Sequence, residues 1–351
     1  MLTPRQNFLE TIHGGKPERF VNQFEYMTLL FDPIIMHCSN MAMPGQTMVN
    51  DWGVTITFAP GTPGPFPLNS PELNVVKDIS TWRQDLKAPD PWSYPDEEWA
   101  MFEKMAQMWD PSGTCGAAFV FPGIFETMHH LMGMEETLVA LLEDPDECRE
   151  LVEFLADCEI ECAKAKIEHL HPDMLFHHDD FGSQQNSFFS AELFEEIFVP
   201  AYKRVYGFWK ANGIEVVVHH SDSYAANLVP GMIEMGVDVW QGACSTNDIP
   251  GLLVQYGPQL SIHSGMDSCK FDEPSWSEEK IASGLDDPIA WAGHNYLIPG
   301  LSQGGNQSTF PGVYDAVTRE IDKLSERHFP GFRADSIERV YGANPFSDLV
   351  S

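Results

Sequence analysis

The sequence predicts an α/β fold, a (β/α)8 TIM barrel with an N-terminal extension and a long loop region, over a single domain spanning 1–351. Three observations predict it. From Met174 onward, short apolar runs alternate with amphipathic helical stretches, the pattern of a parallel sheet covered by helices. Several runs stop abruptly in histidine, aspartate or asparagine, as strands do where a barrel builds its site. No Gly-x-Gly-x-x-Gly turn accompanies the strands, which favours a barrel over a dinucleotide-binding sheet.

The elements follow in order. Thr3 before Pro4 reads as a helix cap with proline in the first turn, and Phe8, Leu9 and Ile12 give that helix an apolar stripe that Gly14-Gly15 ends. Val21 to Met27 is read as the first strand. Residues 40–96 are rich in Pro, Gly, Asn and Asp, with one alternating run, Val54 to Phe58, and read as a long elaborated loop or hairpin beside the barrel mouth. Pro95 to Trp109 is helical in composition, and Cys115 to Phe121 is an apolar strand ending at Pro122-Gly123. Ile124 to Met134 carries His129 and His130 on a helix, and Glu135 to Leu142 and Pro145 to Leu170 are helical. In the last of these, Leu151, Phe154, Leu155, Cys158 and Cys162 recur at helical spacing. The helix from Ala191 has Ser190 as its cap and Gly213 beyond its end, and Pro200 should kink it. Strands ending near 180, 222, 244, 267 and 299 complete the late half, and a last helix runs from about Val313 to Arg327. With about three early strand signals the count reaches eight.

Charge is the extreme bulk property: 20 Lys and Arg stand against 52 Asp and Glu, a net −32. This argues against nucleic acid and anionic membrane as partners, since both require a basic surface. Seven cysteines, an odd number with no Cys-x-x-Cys pair, exclude a disulfide framework or zinc ribbon. No apolar run is long enough to span a bilayer, and the N-terminus lacks a signal core. A cytoplasmic protein with reduced thiols is the expectation. A homodimer is compatible with the sequence.

The stretch GIEVVVHHSD, Gly213 to Asp222, focuses the chemistry. A β-branched run stops in His219, His220, Ser221 and Asp222, and Met174 to Phe176 stops likewise in His177, His178, Asp179 and Asp180. One such histidine could simply pack, and one such aspartate could cap a helix. Recurrence on one rim points instead to metal ligation, proton transfer or polar-ligand recognition. By the two-residue period of a strand, His219 and Asp179 should face away from the site. His220 and Asp222 are the first metal or acid candidates, followed by His178, Asp180, His263 and Asp267. Gln184 and Asn306 are candidate hydrogen-bond partners for substrate. Glu135, Glu150 and His171 are weaker ligand candidates, placed on helical stretches.

At these residues the chain resembles the uroporphyrinogen decarboxylase superfamily, in its corrinoid-dependent methyltransferase branch. TPRQNFLETIHGGKPERF resembles the opening helix and turn. HHDDFGSQQNSFFSAELFEEIFVPAYKRV resembles the branch's Asp-Asp-aromatic-Gly-x-Gln signature, and HHSDSYAANLVPGMIEMGVDVWQGACSTNDI the next strand, helix and strand. The resemblance implies a TIM barrel that moves methyl groups to or from the cobalt of a corrinoid carried by a separate small protein, in anaerobic one-carbon metabolism. Two departures refine it. The decarboxylase's arginine-rich motif is replaced by FVNQFEYMTLL, without cations for a polycarboxylate. Where thiol-methylating members carry a zinc-binding His-x-Cys and a later Cys, this chain has His220-Ser221-Asp222 and no cysteine between Pro299 and Pro311. Two thiolates on zinc suit a thiol substrate; their loss argues against one, although zinc on a His/Asp set stays chemically acceptable. The expected reaction is therefore O-demethylation of a small methoxylated donor. The alternatives are methylcobalamin-dependent transfer to another acceptor, a uroporphyrinogen-type decarboxylase, and a non-enzymatic acidic ligand-binding module.

Overall fold

The structure is a computed structural model that describes residues 1–62, 64–304, 309–337 and 339. Its central sheet has seven parallel strands: β1 (Met27–Leu30), β5 (Cys115–Val120), β6 (Met174–His178), β7 (Val216–His220), β8 (Val239–Gln241), β9 (Ser261–Met266) and β10 (Leu297–Leu301). They pair strictly in that order. Between β1 and β5 lies a separate antiparallel sheet of β2 (Thr47–Val49), β3 (Thr55–Thr57) and β4 (Phe66–Pro67).

Valine-rich runs become buried strands here because both faces are covered. The inward face joins Met174, Phe176, Val216, Val218, Val239 and Ile298 in one apolar core with Phe8, Phe24 and Tyr26. The outward face, with Leu175, Val217, Trp240, Ile262 and Leu297, packs beneath the surrounding helices in a second core. This is the layering of a TIM barrel.

Among the described residues the sheet has seven of the eight expected strands. Val21–Met27 is not the first strand; pairing begins only at Met27, where its backbone lies opposite Cys115. The preceding segment instead fills the gap between β10 and β1. Gln23, at φ 51, donates its backbone N–H to the Pro299 carbonyl at 3.2 Å. Asn22 and Gln23 then tie the segment to the last helix, Val313–His328, through Thr318, Asp322 and Tyr314. The Val54–Phe58 run likewise belongs to the small sheet and not to the barrel. Its alternation marks a sheet covered on one face.

The small sheet flanks the β1–β5 side of the barrel. Asn50 donates to the Cys38 carbonyl, and Asn69 and Asn74 to the carbonyls of His130 and Met132. These anchors lie on helices Pro33–Cys38 and Ile124–Met132, which follow β1 and β5. The first helix, Pro4–Ile12, has the expected cap, with Thr3 and Gln6 bonding each other's backbone N–H. Pro200 produces a π turn, Phe194–Phe198, before the helix resumes at Val199, because proline offers no N–H to the ladder and its ring pushes the preceding turn open.

Candidate active site at the carboxyl ends of the strands

Strand parity sorts the paired histidines. In β6, Phe176 and His178 point inward, and in β7 so do Val218 and His220; His177 and His219 point outward. Outward-facing His219 takes a 2.7 Å hydrogen bond with the Tyr206 hydroxyl. Asp179 also faces outward, as expected, and accepts from the backbone N–H groups of Phe125 and Glu126 at 2.8 Å and from Tyr202. It thereby caps helix Ile124–Met132 at its N-terminus. The approach requires Gly123, since a Cβ there would lie 2.6 Å from that of Asp179.

The inward side chains form one layer. His178 lies opposite His220, His220 opposite Gln241, and Gln241 opposite His263 in the strand register. The His178 and His220 rings stack at 4.2 Å with 25° between planes. One ligand-capable atom from each of His178, Asp180 and His220 lies within 4.8 Å of the others. Asp222 adjoins this group, its backbone N–H donating to Asp180 Oδ1 at 2.9 Å. The structure thus brings together His178, Asp180 and His220 with Asp222 beside them.

Two residues outside that set orient it. Glu126, 7 % exposed, accepts from His178 Nδ1 at 2.8 Å. Gln241 donates through Nε2 to the Ser302 carbonyl at 3.1 Å, which turns its Oε1 toward His220 Nδ1. An amide oxygen only accepts, so His220 carries its proton on Nδ1 and presents a bare Nε2. That nitrogen lies 3.9 Å from Asp180 Oδ1. Neither Glu126 nor Gln241 was among the sequence candidates. The signal for Glu126 was its place in the first turn of the helix following a strand; that for Gln241 was its place at a strand end.

The electrostatics separate two adjacent imidazoles. Burial would lower His178, but Glu126, Asp180 and Asp222 reverse this and raise it to about 10. Burial lowers His220 to about 4, reinforced by the charge on His178. Burial, then Asp180, raises the Asp222 carboxyl to about 8. At neutral pH the site holds a charged imidazolium, a neutral imidazole and a protonated carboxyl within one cluster. Such divergence between neighbours separates acid and base roles.

The other candidates surround this cluster. His263 is fully buried in the same layer, 3.2 Å from the Tyr26 hydroxyl and tilted at 55° against the Phe24 ring. Asp267 caps helix Ser268–Phe271 and accepts from Ser245 at 2.5 Å. Gln184 bridges two rim loops, contacting Cys269 through its side chain and accepting from Thr246 through its carbonyl. Asn306 lies outside the described residues. Glu150 is paired with Arg83, and His171 caps helix Pro145–Leu170 before β6 starts, away from the strand ends that carry the cluster. Two rim thiols went unread in the sequence. Cys244 contacts the Asp222 carbonyl, and Cys269 lies beside Asp267. Burial and the carboxylates Asp222 and Asp267 push Cys244 to about 12, so it stays a thiol. All seven cysteines are free.

The donor set fits a divalent cation. With Glu126 on Nδ1, His178 would offer Nε2 once a metal displaced its proton, and His220 Nε2 and an Asp180 oxygen would complete three N/O ligands.

Residues 113–247 match the family model for uroporphyrinogen decarboxylase. The match covers a little over a third of the chain, and within it the chain is similar to that family. That matched stretch spans β5 to β8, and so includes Glu126, both inward histidines and Gln241. Among solved structures, the fold is similar to that of a methyltransferase from Methanosarcina mazei, at 12% identity and a TM-score of 0.62, covering 92% of this chain and 99% of that one. A chitinase from Rhizomucor miehei aligns at 8% identity over 84% of this chain and 99% of its own, with a TM-score of 0.37 too low to carry an argument. No curated protein matches the chain. Among the described residues, no helix is long and apolar enough to cross a membrane.

Proposed function

We propose that this chain is a member of the uroporphyrinogen decarboxylase superfamily and a methyltransferase that takes a methyl group from a small oxygen-linked donor, such as a methoxylated compound, and passes it to the cobalt(I) of a corrinoid on a partner protein. The observation that supports this reading is the stacked His178–His220 pair, held in opposite protonation states beside Asp180 and Asp222 at the strand ends. In the reaction, the cobalt electron pair forms the bond to the methyl carbon. The carbon–oxygen bond breaks with its pair going to oxygen, and a proton neutralises the leaving alkoxide or phenoxide. This chain therefore needs no nucleophile of its own. It needs an acid at the leaving oxygen, where proton donation contributes roughly 10²–10⁴-fold.

His178, kept charged by Glu126, and Asp222, protonated to about 8, supply that acid. Neutral His220 accepts a hydrogen bond at Nε2 and orients the donor. A divalent ion on His178, Asp180 and His220, zinc being one suitable ion, would supply Lewis acidity to the same oxygen.

The rim disfavours a decarboxylase. Binding a polycarboxylate demands several free cations; Lys270 is 3.8 Å from Asp267 and buried Lys166 is 2.6 Å from Asp32, so both are already paired. A soft thiol acceptor is disfavoured because the cluster offers imidazole and carboxylate donors without a thiolate. A localisation in the cytoplasm, and a homodimer, accord with this reading.

The test combines purified protein, cobalt(I) corrinoid protein and donors labelled in the methoxy carbon. Methyl-cobalt formation that depends on His220 supports the reading. Methylation of a thiol from methyl-cobalt, with no activity on any ether, reverses the direction and the acceptor.

A further inference from the structure

We propose that Glu126, His129 and His130 form a second divalent-cation site, of the zinc or iron(II) class, separate from the rim triad and joined to it through Glu126. The three residues stand at i, i+3 and i+4 of helix Ile124–Met132 and so share one helical face. One carboxylate oxygen and one nitrogen from each imidazole lie within 4.8 Å of one another. A Glu-x-x-His pair on a single helix is a proven way to present ligands to a metal in helical carboxylate sites.

Three further observations favour a ligand over ordinary packing. His130 is 5 % exposed, and its Nδ1 is buried with no hydrogen-bond partner among the described residues. Leaving a buried polar nitrogen unpaired is costly, so a partner is expected. Glu126 commits Oε2 to His178, which leaves Oε1 for another bond. The helix is fixed from outside, since Asn69 donates to the His130 carbonyl at 3.0 Å and Asn74 to that of Met132. A site of this kind needs such a rigid support.

The ligands select the ion. Two imidazoles and one carboxylate suit zinc, iron(II), cobalt(II) or manganese(II), whereas calcium and magnesium prefer all-oxygen shells. Glu126 would then serve both centres, touching His178 with one oxygen and the second ion with the other.

The inference stands apart from the methyl-transfer reading, because its readout is metal content. Full-length protein is stripped with a chelator, titrated with zinc and with cobalt(II), and followed by elemental analysis and the visible cobalt spectrum. Wild type should bind two ions per chain. A His220→Ala, Asp180→Asn double variant should keep one, and adding His129→Ala to it should abolish that ion or weaken it at least ten-fold. His129→Ala alone, at a half-buried position, covers the case in which the combined variant fails to fold, and should bind one ion fewer than wild type. The proposal is overturned if wild type binds no ion, or if His129→Ala leaves stoichiometry and affinity unchanged.

Discussion

His178 and His220 lie 4.2 Å apart, yet one is charged and the other neutral at pH 7. The difference comes from the second partner of each ring, a carboxylate for His178 and a neutral amide for His220. Replacing His220 with Ala should lower methyl transfer from an ether by about 10²-fold, the cost of losing an orienting group, with the fold retained. Single-turnover formation of methyl-cobalt measures this. The pH–rate profile should also fall as pH rises through about 8, where Asp222 loses its proton; a rate flat from pH 7 to 9.5 would remove Asp222 from the acid role. At this scale much was legible. Two-residue alternation is a steric property of strands, so the inward place of His178 and His220 and the outward place of Asp179 and His219 follow from position alone. Glu126 was hidden because it reaches His178 across 52 residues of sequence, and no local pattern encodes that contact.

Helix Ile124–Met132 depends on a residue of a neighbouring strand end. Asp179 accepts its first free N–H groups, so the helix and the cluster share a support on opposite sides of β6. Asp179→Ala should destabilise the protein by about 1–3 kcal/mol, the cost of unpaired buried groups. It should also reduce activity beyond that, because Glu126 moves with the helix end. Urea unfolding followed beside kinetic assay checks both; lost stability with full activity in the folded fraction would separate Glu126 from the function. The element-level reading succeeded where caps and period agree, as in Pro4–Ile12 and Pro145–Leu170. It failed at Val21–Met27 because apolar composition does not say whether a run joins the ladder or only packs beside it, whereas the hairpin reading of Val54–Phe58 held. That choice is made by distant partners, here the Val313–His328 helix and the carbonyls of two other helices.

The whole molecule carries a pH liability in its core. Burial, and then His220, hold His263 down to about 3. The folded state resists a proton that the unfolded chain accepts near the ordinary histidine value of 6.5. Stability from this group is therefore complete above about pH 6.5 and is lost as pH falls toward 3, at up to about 1.4 kcal/mol per unit. His263→Phe should flatten the stability profile between pH 6 and 4, as read from urea midpoints. An unchanged slope would assign acid sensitivity to other groups. The (β/α)8 architecture was legible because strand, polar rim and helix recur from Met174 onward, a repetition few other folds produce.

The Gln23–Pro299 contact gives the barrel a direction in which to breathe. Six neighbouring strand pairs are laced by continuous ladders, whereas β10 and β1 meet through an intervening segment with one backbone bond. Subglobal opening should start at that join, as the least protected cooperative unit. In native-state deuterium exchange, the Gln23 amide should therefore exchange with a smaller opening free energy than those of Val217 and Val218 in β7. Equal protection on both sides of the circle would mean that the barrel opens only as a whole.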